Sequence, residues 1–272
     1  MTEQTFTMPT IDRPTLMLGD CLERMSEIPD GSVDMVLCDL PYGTTQNRWD
    51  AVIPLEPLWS HYWRVLKPAG VIALTASQPF TSLLVASQLK TFRHEWIWIK
   101  NRGSNFANTV REPMKEHESV LIFSRGKWTY NPQMQARSGG GISLIGQVQK
   151  DKGGKTKNYG AFSGKTINLS ELRVPSSWQR FNCEVGLHPT QKPTDLMKYM
   201  IQTYTNPGDM VLDSCSGSCT VGVAAYQLVR RFIGIEKDST YFDVGRRRLE
   251  GTIAAAQPAP LGGLFADLDA AE

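Results

Sequence analysis

The sequence predicts an α/β fold, because strand-like apolar runs alternate along it with segments of helical periodicity. Two of those runs end in groups suited to ligand binding. The run Val33 to Cys38 leads into Asp39-Leu40-Pro41-Tyr42, and Met210-Val211-Leu212-Asp213 leads into the small-residue loop Ser214 to Cys219. Behind that loop come a helical segment and a further strand ending in Glu236, so the strand–loop–helix–strand order is Rossmann-like, with helices expected on both faces of a sheet.

The elements follow in order. Leu16-Met17-Leu18 reads as a short buried strand closed by Gly19-Asp20, with a helix from Cys21 to Ile28 and a turn at Pro29-Asp30-Gly31. Leu55 to Leu66 has helical spacing, and Lys67-Pro68-Ala69-Gly70 is expected to stop it before the strand Val71 to Leu74. A helix over Pro79 to Leu89 and strands at Glu95 to Ile99 and Ser119 to Phe123 come next. The polar connection Asn101 to Glu116 reads as a loop; closing over a bound nucleotide and simple mobility both fit its composition. From Gly139 to Gly164, Gly, Lys, Gln and Ser dominate without hydrophobic periodicity, which predicts an irregular insertion. Helical spacing resumes at Thr194 with Leu196, Met197, Met200, Ile201 and Tyr204, and Asn206-Pro207-Gly208 ends it. The Ala/Pro/Gly-rich tail, 251–272, is expected to be disordered.

The chain of 272 residues suffices for one large α/β domain with an insertion. Neither end has the pattern of a targeting signal, and no apolar run approaches the ~20 residues that span a bilayer, so a cytoplasmic protein without membrane contact is expected. The five cysteines are scattered and odd in number, which favours free thiols over disulfides or a metal clip. A net charge of +2 conceals a basic stretch: from Arg125 to Arg180, ten Lys or Arg face two acidic residues, an excess of eight. Trp128, Tyr130, Tyr159, Phe162 and Trp178 interleave those charges. A solvated basic loop would look similar, but the mixture suits a nucleic acid, whose phosphates meet the cations and whose bases stack on the rings.

Asp39 to Tyr42 gathers a carboxylate, rigid backbone carbonyls and an aromatic ring. An exocyclic amine on a base is a weak nucleophile, since its lone pair is delocalised into the ring. Acceptors aimed at its two N–H bonds stabilise the charge that develops on nitrogen during attack. Asp39 and the carbonyl of Leu40 or Pro41 can serve as acceptors, and Tyr42 can offer a face to a base drawn out of the duplex. An ordinary strand-ending turn is the structural alternative. Glu236, about 20 residues past the small-residue loop, stands where an acid binds ribose hydroxyls.

Taken with His188-Pro189-Thr190-Gln191-Lys192-Pro193, these motifs resemble those of the amino-type DNA methyltransferases that modify adenine N6 or cytosine N4. The order, catalytic motif before cofactor loop, resembles the β arrangement found in bacteria and phages, a circular permutation of the methyltransferase sheet. The resemblance spans roughly Leu16 to Leu249. It implies a catalytic domain over 14–127 and 186–250 and a target-recognition insertion over 128–185. It further implies S-adenosylmethionine as cofactor and double-stranded DNA as partner, with a homodimer allowed and a restriction partner left open. Asp39, Leu40, Pro41 and Tyr42 would hold the target amine. Asp213, Ser214, Cys215, Gly217 and Ser218 would line the cofactor site, with Glu236 on the ribose and Asp20 at the adenine edge. Thr190, Gln191 and Lys192 would approach the methionine end, the lysine meeting the cofactor carboxylate. Arg102, Arg111, Arg137, Lys155, Lys157 and Arg173 are the candidate DNA contacts. The leading Asp39 favours adenine N6, since Ser is more usual there for cytosine N4.

Two positions depart from the family pattern. Leu40 replaces a proline and leaves its carbonyl in place. Cys219 replaces a glycine, and if that position needs positive φ or close cofactor contact, its side chain would cost cofactor affinity. A methyltransferase acting on RNA or a protein amide, and a DNA-binding module with a decayed cofactor site, are the remaining readings.

Overall fold

The computed structural model describes residues 14–43, 50–138, 145, 147–156, 160–168, 170–184, 186 and 191–256. Its centre is an eight-stranded sheet. In chain order the strands are β1 (Thr15–Leu18), β2 (Val33–Asp39), β3 (Leu66–Ala76), β4 (Phe92–Ser104), β5 (Lys115–Phe123), β10 (Trp178–Arg180), β11 (Met210–Asp213) and β12 (Arg231–Glu236). Across the sheet the order is β1-β12-β11-β2-β3-β5-β4-β10. Every pairing is parallel except the two made by β5, which runs antiparallel to β3 and β4.

The apolar runs are nearly continuous because both faces of the sheet are covered. In β3, Ile72, Leu74 and Ala76 point into one core, and Val71 and Ala73 into the other. The first core packs under α1 (Cys21–Arg24), α2 (Leu55–Val65) and α3 (Phe80–Ser87). The second packs under α4 (Thr194–Tyr204), α5 (Thr220–Gln227) and α6 (Ser239–Ala256). The doubly covered sheet expected from the sequence is therefore present.

Several local expectations are corrected. Lys67 to Gly70 lies within the span of β3, whose pairing to β2 jumps from Leu66 to Val71. Gly70 is required there, since a Cβ would lie 2.6 Å from the Leu66 side chain and 2.9 Å from the Asp34 carbonyl. The polar connection after Ile99 is shorter than expected, because β4 continues to Ser104 and β5 begins at Lys115. Cross-strand pairing extends these strands although their tips carry polar side chains, which an apolar pattern cannot reveal. The insertion is not wholly irregular: β7 (Val148–Thr156) and β8 (Gly160–Asn168) form an antiparallel hairpin, and β6 (Gln135–Ala136) pairs with β9 (Leu172–Arg173). Within the expected span 128–185, β10 joins the main sheet alongside β4. Finally, α6 continues past Gly251 to Ala256, so the expected tail loses its first residues to a helix, and 257–272 lie outside the described residues.

Candidate active site

Helical connections leave β2 and β11 in opposite directions along the sheet, β2 toward β3 and β11 toward β12. Their carboxyl ends, Asp39 and Asp213, thus flank the point where strand order reverses, the usual ligand crevice of an open α/β sheet. A cavity of about 1030 Å³ opens there and is lined by Asp39 to Tyr42 together with the loop from Asp213 to Ser218. Asp20, Gln191, Lys192 and Glu236 line the same cavity. Four catalytic candidates and nine of the ten cofactor candidates thus converge; the tenth, Thr190, lies outside the described residues.

Asp39 is the hub of the catalytic side. Its Oδ1 accepts from the Thr75 hydroxyl and lies 2.8 Å from the Tyr42 hydroxyl, and its Oδ2 accepts from Lys192 Nζ at 2.7 Å. Lys192 also reaches Glu118 at 3.4 Å, and Glu118 in turn pairs with Lys100. Two carboxylates and two ammonium groups thus form a largely buried network of balanced charge. Burial alone would push Glu118 up, but Lys192 and Lys100 hold its carboxyl below the ordinary value. Burial pulls Lys192 down, and Asp39 and Glu118 more than reverse this, so it stays charged. Tyr42 stacks on Phe80 with ring centres 5.5 Å apart. Burial, then Asp39 and Glu118, raise its phenol well above the usual range, which keeps it a neutral donor. Leu40 is buried in the first core, so its side chain anchors the motif while Pro41 and Tyr42 remain half-buried.

Lys192, expected at the methionine end of the cofactor, lines the cavity and is paired in this structure with Asp39 and Glu118. With two partly buried carboxylates beside it, the ammonium is drawn to the catalytic side. Thr75, Lys100 and Glu118 were missed altogether. Each sits near the end of an apolar strand, where a single polar residue reads as ordinary strand termination.

The cofactor side is built around the loop after β11. Gly217 N–H donates to Glu236 Oε2 at 2.7 Å, Asp238 N–H donates to Oε1 at 2.8 Å, and Asp213 Oδ1 accepts from Cys215 N–H at 3.1 Å. Asp213 is almost fully buried, and no cation among the described residues pairs with it. Burial, followed by the nearby Cys38, raises its carboxyl well above the ordinary range, and burial also raises Glu236. Asp20 caps α1 through Leu22 N–H at 3.0 Å and pairs with Lys237 at 2.9 Å. Arg248 on α6 was also missed, one of three consecutive arginines that look like a solvated helix face. It donates to Thr220 Oγ1 at 2.8 Å and Thr194 Oγ1 at 3.2 Å, tying the loop to α4 and α6.

Cys219 does adopt the left-handed conformation, φ 59°. Its side chain is fully buried and turns toward Gly222 and Gly245, where a Cβ on Gly222 would fall 2.4 Å from Cys219 Sγ. The thiol is thus housed by two glycines and is not part of the cavity wall. The strain of a non-glycine residue in this conformation, about 1–2 kcal/mol, falls on the backbone rather than on ligand contact.

None of the described DNA candidates lines the cavity. Arg102, near the end of β4, and Arg111, on the β4–β5 turn, are exposed. Arg137 Nε donates to the Ser170 carbonyl at 2.7 Å, and Arg173 donates to Ser176 Oγ at 3.0 Å, so both are partly used in bracing the β6–β9 pair. Lys155 lies in β7 with its side chain outside what is described, and Lys157 lies outside the described residues. No helix among the described residues is long and apolar enough to cross a membrane.

Comparison with known proteins agrees with this arrangement. The chain is 29% identical over 251 residues to DNA adenine methyltransferase YhdJ of Escherichia coli (strain K12), covering 87% of this chain and 82% of that protein. It is 28% identical to the type II methyltransferase M.HpaI of Haemophilus parainfluenzae, covering 86% of this chain and 74% of that protein. Among solved structures, the M1.HpyAVI–SAM complex superposes with a TM-score of 0.58 at 25% identity, covering 86% of this chain and 99% of that one. The cytosine-N4-specific PvuII DNA methyltransferase, at 15% identity and a TM-score of 0.63 over 90% of this chain and 92% of its own, shares the fold. The DNA methylase family profile matches residues 33–247, and with the catalytic motif and the small-residue loop meeting in one cavity, the chain belongs to the N6/N4 DNA methylase family.

Proposed function

We propose that the protein methylates N6 of adenine in double-stranded DNA, with S-adenosylmethionine as donor. One observation carries this reading: the Asp39 carboxylate and the loop after β11 open into the same cavity at the strand-order reversal. The choice of adenine rests on the leading aspartate, and the relative YhdJ is itself named an adenine methyltransferase.

The cavity's chemistry fits the donor. Asp213 offers a buried carboxylate without a cationic partner among the described residues, Gln191 Oε1 is a buried acceptor without a hydrogen bond, and Glu236 retains lone pairs beyond its two backbone contacts. A ligand bearing positive charge, an ammonium group and ribose hydroxyls satisfies all three. When bound, S-adenosylmethionine supplies an electrophilic methyl group. The chain's own residues do the rest. Asp39 has acceptor capacity beyond the contacts from Thr75, Tyr42 and Lys192, because a carboxylate offers about four lone-pair sites. It takes one N–H of the amine, and the carbonyl of Leu40 or Pro41 takes the other. Thr75 and Lys192 fix the carboxylate's rotation, and Phe80 props the Tyr42 ring. Much of the acceleration then comes from alignment. The segment between β5 and β10, with its excess of basic residues, is the part that reads the DNA, over approximately the insertion expected at 128–185.

Digesting DNA from cells that express the protein and analysing the nucleosides by mass spectrometry is expected to yield N6-methyladenine. N4-methylcytosine in its place would replace the adenine assignment with the cytosine one.

Asp213 gives a second test. Its folded carboxyl titrates above its ordinary 3.8, so its ionisation opposes folding above that value, and the opposition fades as pH falls through the folded value toward 3.8. Asp213→Asn keeps the acceptor to Cys215 and removes the charge. At pH 8 it is expected to gain about 1 kcal/mol, a rise of roughly 2–4 °C in melting temperature, with the gain shrinking in acid. Cofactor affinity should fall on the order of tenfold, the scale of one charged hydrogen bond. A variant that is both less stable at pH 8 and unaltered in cofactor binding contradicts this role.

A further inference from the structure

The β4–β5 turn, 105–114, stands at the rim of the cavity, to which Ser104, Asn105 and Lys115 contribute. It is ordered by its own hydrogen bonds. Asn105 Nδ2 donates to Glu112 Oε1 at 2.7 Å, Asn108 Nδ2 donates to Asn105 Oδ1 at 2.7 Å, and Arg111 N–H donates to the Asn108 carbonyl at 2.9 Å. Asn105 accepts a left-handed conformation, φ 70°, to make the bend. Yet the turn leaves its apolar side chains in water: Phe106 is 79% exposed and Val110 88%. A turn braced from within does not need an outward phenylalanine for its own packing.

The surroundings indicate the partner. Arg102, Arg111 and Lys115, on or next to the same turn, are exposed, a charge pattern that suits phosphates, and the turn borders the cavity that would take the extruded base. Drawing a base out of a duplex leaves a gap between its neighbours, and an apolar side chain that enters the stack lowers the cost of that gap. We propose that Phe106 enters the DNA stack as the target base leaves it and occupies the vacated position, with Arg102, Arg111 and Lys115 seating the turn on the backbone. This rests on the methyltransferase reading above and adds to it the part of the chain that holds the opened duplex.

The test compares wild type and Phe106→Ala on two duplex oligonucleotides carrying the methylated site found by sequencing modified bases. In one the target base is normally paired; in the other it stands opposite an abasic position, so that extrusion costs little. Phe106→Ala is expected to lose on the order of tenfold or more in kcat/KM on the paired duplex and to stay within about threefold of wild type on the other. Phe106→Leu, which keeps an apolar wedge, should retain most of the paired-duplex activity. Thermal unfolding should be unchanged, because the ring is exposed. Equal losses on both duplexes would mean that Phe106 contacts the base or braces the site, and no loss on the paired duplex would mean that it does not engage DNA; either overturns the proposal. A wild-type protein inactive on both duplexes would instead sink the methyltransferase reading and the wedge with it.

Discussion

Replacing Asp39 with alanine is expected to lower kcat for DNA methylation by on the order of 10²–10³-fold, the usual scale for removing one preorganised group from developing charge. The site predicts where the loss should appear. Asp39 lies on the catalytic side of the cavity, whereas the loop contacts from Glu236 and Asp213 are made without it. Cofactor affinity measured by calorimetry should therefore change by no more than about threefold, a shift of well under 1 kcal/mol. Alanine also deprives Lys192 of its nearest carboxylate, leaving Glu118 at 3.4 Å as its acidic partner. Asp39→Asn separates the two effects, because it keeps a neutral acceptor for the amine but weakens the pairing with Lys192. If Asp39→Ala methylates DNA at the wild-type rate, Asp39 does not hold the amine and the catalytic assignment is lost. If both variants lose cofactor binding in parallel with turnover, Asp39 serves the architecture of the cavity instead.

Much of this site was legible in the sequence because its parts are local. Asp39 to Tyr42 and Asp213 to Ser218 each sit within a few residues at a strand's carboxyl end, and a parallel sheet brings such ends together. The spacing that singled out Glu236 also puts it on the cavity wall, where its Oε2 accepts from Gly217 N–H. What could not be read was assembled across the chain. Thr75, Lys100 and Glu118 come from three different strands, and their meeting at Asp39 depends on β5 inserting antiparallel between β3 and β4. Lys192 was visible as a motif residue, but its partner was not, because a lysine's target depends on which carboxylates share its burial. The β7–β8 hairpin escaped for a different reason. Its Gly- and Lys-rich strands carry no apolar alternation, and their pairing rests on backbone hydrogen bonds that composition does not encode.

The network around Lys192 makes the largest stability prediction. Lys192→Met is expected to cost about 3 kcal/mol at pH 8, because it takes from Asp39 its ion-pair partner in a largely buried network, while Glu118 keeps Lys100. The side chains concerned are 8% exposed for Lys192, 13% for Glu118 and 27% for Asp39, so water screens only part of the loss. The pH dependence carries the signature. Glu118 titrates below its ordinary 4.5 in the folded protein, so its contribution is complete above 4.5 and is lost as pH falls through the folded value. Lys192 titrates above its ordinary 10.5, so its contribution is complete below 10.5 and is lost as pH rises through the folded value. Between those limits Glu118 and Lys192 are both charged. In the variant Glu118 keeps Lys100 but loses Lys192, so its burial is opposed less and it binds a proton more readily than in the wild type. The deficit should therefore be greatest at neutral and alkaline pH and should shrink as pH falls toward 4.5, a trend read from melting temperatures across a buffer series. A methionine of similar length keeps the packing, which distinguishes charge from shape. A deficit that is the same at pH 5 and pH 8 would show that Lys192 serves through its methylenes, and a variant as stable as wild type would show that the two carboxylates find their compensation elsewhere. Turnover should fall together with stability, since Lys192 is one of the contacts that hold Asp39 Oδ2 in place.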